Sequence, residues 1–415
     1  MWGFITVLVD SLIPRLREIF ELTYFQSGLV QFAFFMAYGL LSLPSGFILA
    51  RIGYKKGMIL GLITMGLGCL LFLPAAEYRI FGFFLLGYFI LAGGMTILQV
   101  AANPFVSVLG PEEQASSRLN LSQAFNSLGT TLAPMVGAAF ILSDRILSNK
   151  EISDLSETEK LLYMDAEANA VQMPFLWIAV FIFLLAVLIR MAKLPEVLGS
   201  EDRGSYRDAF GHKPLLFGAL GIFLYVGAEV AIGSYLVNYF LDMGIDDLIR
   251  SNEGLSAIAS TILSSSLEGV DAKGVVAAFV AFYWGGAMLG RFIGAYLTRL
   301  FDASKVLALF AVLAVSMLLI SQSTVGLVAM ISILAVGLFN SIMFPTIFTL
   351  SIEGMGNIKP RASGILCTAI VGGAFVPPLY GFLTDSFGFK AALILLMACY
   401  AYIWYISRYI FRHAH

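Results

Sequence analysis

Residues Ile97–Thr131 read ILQVAANPFVSVLGPEEQASSRLNLSQAFNSLGTT. Two long apolar runs are joined there by a short acidic turn, Gly110-Pro111-Glu112-Glu113. Gln99, Asn103, Gln123 and Asn126 lie inside the runs. An uncharged amide deep in hydrocarbon is costly unless it finds a hydrogen-bonding partner. One amide could simply tie two helices together. Four on neighbouring helices point to a wet, polar cleft inside a bundle.

The rest of the chain fits that picture. Of 415 residues, 59% are hydrophobic and only 13% charged, against about 25% charged in a soluble domain. So much apolar surface cannot be hidden from water, and an integral membrane protein is expected. The apolar segments exceed the roughly 20 residues that span a bilayer as helix. Their continuity argues against an outer-membrane barrel, whose strands alternate. A net charge of −2 offers nothing to nucleic acid. Cys69, Cys367 and Cys399 stand in apolar runs without CxxC spacing and read as small hydrophobes. His212, His413 and His415 fall outside those runs, so neither a metal site nor a histidine proton relay is expected. No cleavable signal peptide is evident: Asp10, Arg15 and Arg17 interrupt the first segment, and no basic stretch precedes it.

Twelve spans are predicted, at 2–20, 24–50, 57–76, 79–108, 116–142, 172–193, 213–243, 273–300, 303–321, 324–352, 360–384 and 388–411. With the N-terminus inside, the cytoplasmic segments collect Arg51, Lys55, Lys56, Arg190, Lys193, Arg203, Arg207, Lys213, Arg299, Lys305, Lys359, Arg361, Arg408 and Arg412. The long 143–171 loop is mostly acidic. The positive-inside rule therefore places both termini in the cytoplasm. Residues 194–212 are polar and of mixed charge. They read as a linker between an N-terminal bundle, 1–193, and a C-terminal bundle, 213–415.

The two bundles look like repeats. Gly46-x-x-Leu49-x-Arg51 closes the second span and Gly294-x-x-Leu297-x-Arg299 the eighth. Gly129-x4-Pro134-x2-Gly137 in the fifth span is matched by Gly373-x4-Pro378-x2-Gly381 in the eleventh, and Pro104 in the fourth by Pro345 in the tenth. All three matches keep chain order at a spacing of about 245 residues. An all-α membrane protein of twelve helices in two six-helix, pseudo-symmetric bundles is expected. That is the major facilitator arrangement, with its site at the midplane.

Two carboxylates fall deep in equivalent spans, Asp10 in the first and Glu229 in the seventh. A carboxylate there is paired, solvated or protonated, and no Lys, Arg or His is expected at comparable depth. Burial that raises its pKa would let such an acid load a proton on one side and release it on the other. Around the acids are Gln31, Tyr38, Tyr225, Tyr235, Asn238, Tyr283, Trp284 and Asn340, besides the four amides. Amides and carboxylates that bind in pairs beside an aromatic face suit a sugar, which offers vicinal hydroxyls and an apolar C–H face. The absence of an expected buried Arg or Lys argues against phosphorylated or carboxylate substrates. The loop GFILARIGYKKG (46–57) reads as a basic cytoplasmic latch with no chemistry of its own.

Five stretches carry a family resemblance: YFQSGLVQFAFFMAYGLLSLPSGFI (24–48), ILQVAANPFVSVLGPEE (97–113), RLNLSQAFNSLGTTLAP (118–134), YVGAEVAIGSYLVNY (225–239) and FPTIFTLSIEGMG (344–356). By these the chain resembles the fucose permease family of sugar transporters, and within it the bacterial glucose/galactose type. The resemblance implies symport of a monosaccharide with a cation, usually H⁺, across a bacterial inner membrane. It also implies that Asp10 is the proton-coupling acid and that Gln123 and Asn126 are substrate amides. Gln99 stands where the fucose permease has a second acid, and Ala50 where the superfamily usually has one. Neither that two-acid scheme nor a charge-relay latch is therefore carried over whole.

The expected substrate set is Gln99, Asn103, Gln123, Asn126, Glu229, Gln31, Tyr225 and Asn340. The expected partners are a monosaccharide and the lipid bilayer, with no nucleic acid. A monomer is expected, with no cofactor and no metal. The coupling ion is H⁺, with a Na⁺-coupled symporter or an uncoupled facilitator of the same fold as the alternatives. A membrane enzyme is disfavoured, because no triad, metal cluster or phosphate loop is present. A drug exporter would want a more apolar cavity.

Overall fold

The computed structural model describes residues 3–5, 7, 24–78, 80–140, 156–195 and 204–410. Its elements are helical throughout. The first are α1 (Tyr24–Ile52), α2 (Tyr54–Tyr78), α3 (Phe81–Val108), α4 (Ala115–Phe140), α5 (Glu157–Met191) and the short α6 (Tyr206–Phe210). There follow α7 (Lys213–Asp242), α8 (Ile245–Ser251), α9 (Glu253–Leu263), α10 (Ala272–Leu300) and α11 (Ala303–Ser323). The last are α12 (Gly326–Asn340), α13 (Met343–Ile352), α14 (Lys359–Thr368), α15 (Gly372–Phe387) and α16 (Phe389–Tyr405).

Ten stretches among the described residues are long and apolar enough to cross a membrane. The expected first span falls almost wholly outside the described residues. The expected fifth span is α4. It forms as a helix of 26 residues, yet is not among the ten, because its first half, ASSRLNLSQAFNS, is polar.

The observed elements refine the expected boundaries in three places. The acidic 143–171 segment is not loop throughout: α5 starts at Glu157 and runs 35 residues. A capping box starts it, with Ser156 accepting from the Glu159 N–H while the Glu159 carboxylate accepts from Ser156. The same Ser156 hydrogen bonds hold the Glu159 carboxyl below the usual carboxylate range. Between the expected seventh and eighth spans, α8 and α9 fold in a segment to which no span is assigned. Asn252 caps α9 by accepting from Leu255 N, and Arg250 braces the turn by donating to the Leu267 and Val270 carbonyls. The expected tenth span divides into α12 and α13 at Ser341-Ile342.

The chain gathers into two compact units. The first comprises Met1–Val106, Phe125–Ala209 and Met355–Thr368. Phe72 stacks on Phe175 at 4.1 Å between ring centroids, and Phe84 meets Phe72 edge-on at 5.3 Å. The outer side of α5 leaves Trp177, Phe181, Leu184 and Leu188 exposed, which suits lipid and not water. The linker segment is anchored here through α6. The Tyr206 hydroxyl donates to the Leu43 carbonyl, and burial pushes its pKa up to about 12. Ser205 and Asp208 cap each other, and those bonds hold the Asp208 carboxyl low. In α14, Ser363 Oγ donates to the Val100 carbonyl at 2.8 Å.

Within this unit α2 and α3 approach backbone to backbone. A Cβ on Gly94 would lie 2.3 Å from the Met65 nitrogen, and one on Gly61 would lie 2.7 Å from the Leu98 nitrogen. Backbone cannot step aside as a side chain can. Gly94→Leu is expected to destabilise the unit by about 3 kcal/mol or more, the upper end of overpacking costs. A thermal-unfolding scan in detergent checks this; an unchanged midpoint would contradict the packing described.

The second unit comprises Ser107–Ala124, Phe210–Gly354 and Ala369–His415. Val306, Phe310 and Ile342 are buried together, with Leu297 and Phe339 against them. The start of α4 is stitched into this unit by polar contacts. Ser116 Oγ and Thr349 Oγ1 are 2.6 Å apart, Ser117 Oγ donates to the Ala295 carbonyl at 2.7 Å, and Asn120 Nδ2 donates to Thr346 Oγ1 at 3.1 Å. Glu112 Oε1 accepts from Gly354 N at 3.1 Å.

Candidate functional site

In the first unit, Gln99 sits on α3 facing α1. Its Nε2 donates to the Tyr38 hydroxyl at 2.7 Å, and Tyr38 is buried. One turn along α3, Asn103 is fully buried. Asn126, on α4, uses its Oδ1 to accept from Gly3 N at 2.8 Å. That amide thus holds the beginning of the chain against α4, and a Cβ on Gly3 would collide with Asn126 and Thr130. Gln31 is exposed on α1. Asp10 lies outside the described residues.

In the second unit, Gln123 is buried on α4. On α7, Tyr225 and Glu229 are one helical turn apart and share a face. Glu229 Oε1 lies 3.8 Å from an Arg291 guanidinium nitrogen on α10. Both side chains are mostly withdrawn from solvent, at 14% and 16% exposure. The expectation that no cation lies at the depth of Glu229 is therefore overturned. The reason is geometric. Arg299 marks the basic end of α10, but Arg291 stands two turns further in, about 12 Å along the axis.

That pair changes the electrostatics of the site. Two opposite charges at this separation, away from bulk water, attract each other more strongly than they would at the surface. Yet 3.8 Å is too long for a hydrogen bond. Glu229 Oε1 and the buried Tyr225 hydroxyl lie near enough to interact with each other, yet neither completes a well-formed hydrogen bond among the described residues. Tyr225, Tyr283 and Tyr400 all lie close enough to Glu229 to interact with its charge. Asn340, at the end of α12, donates to the Tyr283 hydroxyl at 2.8 Å and to the Tyr400 hydroxyl at 3.2 Å. Asn340 thereby ties α10, α12 and α16 together, and its Oδ1 is left without a partner among the described residues.

Of the aromatics predicted around the acids, Tyr283 joins this cluster. Trp284 is half-exposed next to it and meets its ring edge-on at 5.1 Å. Tyr235 packs edge-on against Tyr380 at 5.4 Å, and Asn238 is exposed. The sequence reading missed Arg291, Tyr400 and Asn120. Asn120 is fully buried and bonded to Ser116 and Thr346. A signal for Arg291 exists in the sequence: an arginine inside an apolar helical run needs an acid, and Glu229 needs a cation.

Chemically, the second unit offers a carboxyl group, a phenol and an amide carbonyl with open hydrogen-bonding capacity. Such a set receives hydroxyl donors. Arg291 is already committed to Glu229, so it does not present a free charge to an anion.

The Major Facilitator Superfamily model matches residues 2–366. A relative described as a glucose/galactose transporter, from Brucella abortus biovar 1 (strain 9-941), is 47% identical over 97% of this chain and 90% of its own length. The L-fucose-proton symporter of Escherichia coli (strain K12) is 34% identical over 99% of this chain and 90% of its own. A crystal structure of a Major Facilitator Superfamily transporter, FucP, in the outward conformation, superposes with a TM-score of 0.87 at 33% identity. The match covers 98% of this chain and 95% of that one.

Proposed function

The chain belongs to the Major Facilitator Superfamily, and from that premise we propose that it imports a glucose- or galactose-type hexose together with a proton by alternating access. It is a transporter and not an enzyme. The observation that carries the substrate class is the unsatisfied pair on α7. A carboxylate oxygen and a phenol hydroxyl are buried side by side in a membrane-spanning helix, near enough to interact with each other but without a well-formed hydrogen bond among the described residues. Leaving such groups dry costs about 1–3 kcal/mol or more each. A hydroxyl-rich ligand repays that cost, whereas a lipophilic one would add to it.

In this reading Asp10 carries the proton. Glu229, Tyr225 and Gln99 bind sugar hydroxyls, supported by Asn103, Gln123 and Asn126. Asn340 shapes the second unit's contribution by fixing Tyr283 and Tyr400. Asn126 is already used by Gly3, so its contribution to sugar is expected to be smaller than that of Glu229. The protein sits in a bacterial inner membrane with both termini cytoplasmic, works as a monomer, and needs no cofactor beyond the coupling ion. Its proposed domains are an N-terminal bundle, 1–193, a linker, 194–212, and a C-terminal bundle, 213–415.

Calorimetric titration of the purified protein with glucose, galactose and fucose tests the substrate class. Saturable binding of at least one hexose is expected. Absence of binding to all three would refute the reading.

A further inference from the structure

A proline in a helix removes one backbone donor and leaves the carbonyl four residues earlier open. Pro345 does this to the Ser341 carbonyl, at the break between α12 and α13. The next rung is made normally, with Thr346 N donating to Ile342 O at 3.0 Å. The open carbonyl is not left bare: Arg291 Nε donates to it at 3.2 Å. The same guanidinium reaches Glu229 with another nitrogen. One planar fork therefore spans the broken rung of one helix and the carboxylate of another, a reach that a single ammonium lacks.

The repeat partner of Pro345 is treated in the same manner. Pro104 opens the Val100 carbonyl in α3, and Ser363 Oγ closes it at 2.8 Å. Pro104 and Pro345, one of the two proline pairs matched between the repeats, thus both have their open carbonyls satisfied by a side chain from another helix. In α3 that donor is neutral. At α12–α13 it is charged and bound to the acid of α7.

We propose that Arg291 is a positioning residue that replaces the backbone donor missing at Pro345 and, through the same guanidinium, sets where Glu229 presents its carboxylate. The bend of the tenth span and the placement of the sugar-facing acid are then one variable. The inference rests on the sugar-transport reading for its kinetic readout only.

The geometry dictates a double-mutant cycle. In Pro345→Ala the new N–H competes with Arg291 for Ser341 O, loosens the fork from Glu229, and raises KM about threefold or more. Arg291→Gln removes the fork and raises KM about tenfold or more. In the combined variant, the N–H restored at position 345 supplies the donor that Arg291 no longer gives. Pro345→Ala, which raises KM and lowers the thermal midpoint alone, becomes beneficial there: it lowers KM at least threefold relative to Arg291→Gln and raises the midpoint. Arg291→Lys, which keeps the charge without the fork, is intermediate in KM and replaces Arg291→Gln in the cycle if the latter is not recovered folded. Sugar uptake by reconstituted protein gives KM and kcat, and the thermal midpoint in detergent is read for every variant. Reversal of the sign of Pro345→Ala in both readouts supports the inference. Effects that simply add, or an Arg291 variant with wild-type KM, overturn it. Failure of the unsubstituted protein to take up any hexose would refute the transport reading instead, and the thermal cycle would still decide the role of Arg291.

Discussion

Asp10→Asn is expected to abolish accumulation of hexose driven by a proton gradient while leaving gradient-free sugar exchange at least partly intact. Asp10 falls within a predicted membrane span, and no other acid occurs in the chain before Glu18. A carboxylate in hydrocarbon is costly, and the protonated acid is not. A group that alternates between these forms can carry a proton from one side to the other, provided that each form is favoured at a different stage of the cycle. Asparagine copies the shape and polarity of the neutral acid and cannot alternate. Sugar should therefore still bind and cross, with no coupling to the gradient. Counterflow and pH-jump uptake in proteoliposomes separate the two activities. Normal accumulation by the variant under an imposed pH gradient would remove Asp10 from the mechanism.

Glu229→Gln should weaken sugar binding strongly and leave the response to the proton gradient in place. The carboxylate can accept two hydroxyl hydrogen bonds, each strengthened by its charge. Hydrogen bonds to charged groups contribute about 1.5–3 kcal/mol, so losing one raises Kd roughly ten- to hundredfold. The neighbouring Arg291, 3.8 Å away, adds to the effect, because glutamine leaves that guanidinium without its counter-charge. Titration calorimetry and uptake at saturating sugar measure the two quantities. Unchanged affinity with lost coupling would make Glu229 the cation site and contradict this assignment.

Most of the architecture is legible in the residues. Uninterrupted apolar runs mark the spans, because a membrane helix must satisfy its backbone internally and be apolar outward. Matched motifs such as Pro104 and Pro345 expose the repeats, because proline alters a helix wherever it occurs. Capping signals give two further helix starts that apolar runs alone do not show. Ser156-x-x-Glu159 starts α5 well before its apolar run, and Asn252 starts α9 between two expected spans.

The site is legible in its residue types more than in its pairings. Glu229, Tyr225 and Gln99 stand out as polar groups in apolar runs, and each is found with a specific neighbour. Who that neighbour is depends on helix rotation and tilt, which a one-dimensional pattern does not contain. Arg291 shows the difference. Counted along the sequence it belongs with the basic end of its helix, near Arg299. Counted in turns it reaches the level of Glu229 and the break before Pro345. Asn126 shows the converse. Its type suits a sugar, but its Oδ1 is used by Gly3 N.

The central claim is that this chain couples a hexose to a proton. Uptake of labelled glucose or galactose into proteoliposomes, with either a pH or a Na⁺ gradient imposed, tests it most directly. The account predicts accumulation above equilibrium with an inward proton gradient, its collapse with a protonophore, and no stimulation by Na⁺. Accumulation that follows the Na⁺ gradient, or uptake that only equilibrates under both gradients, would contradict it.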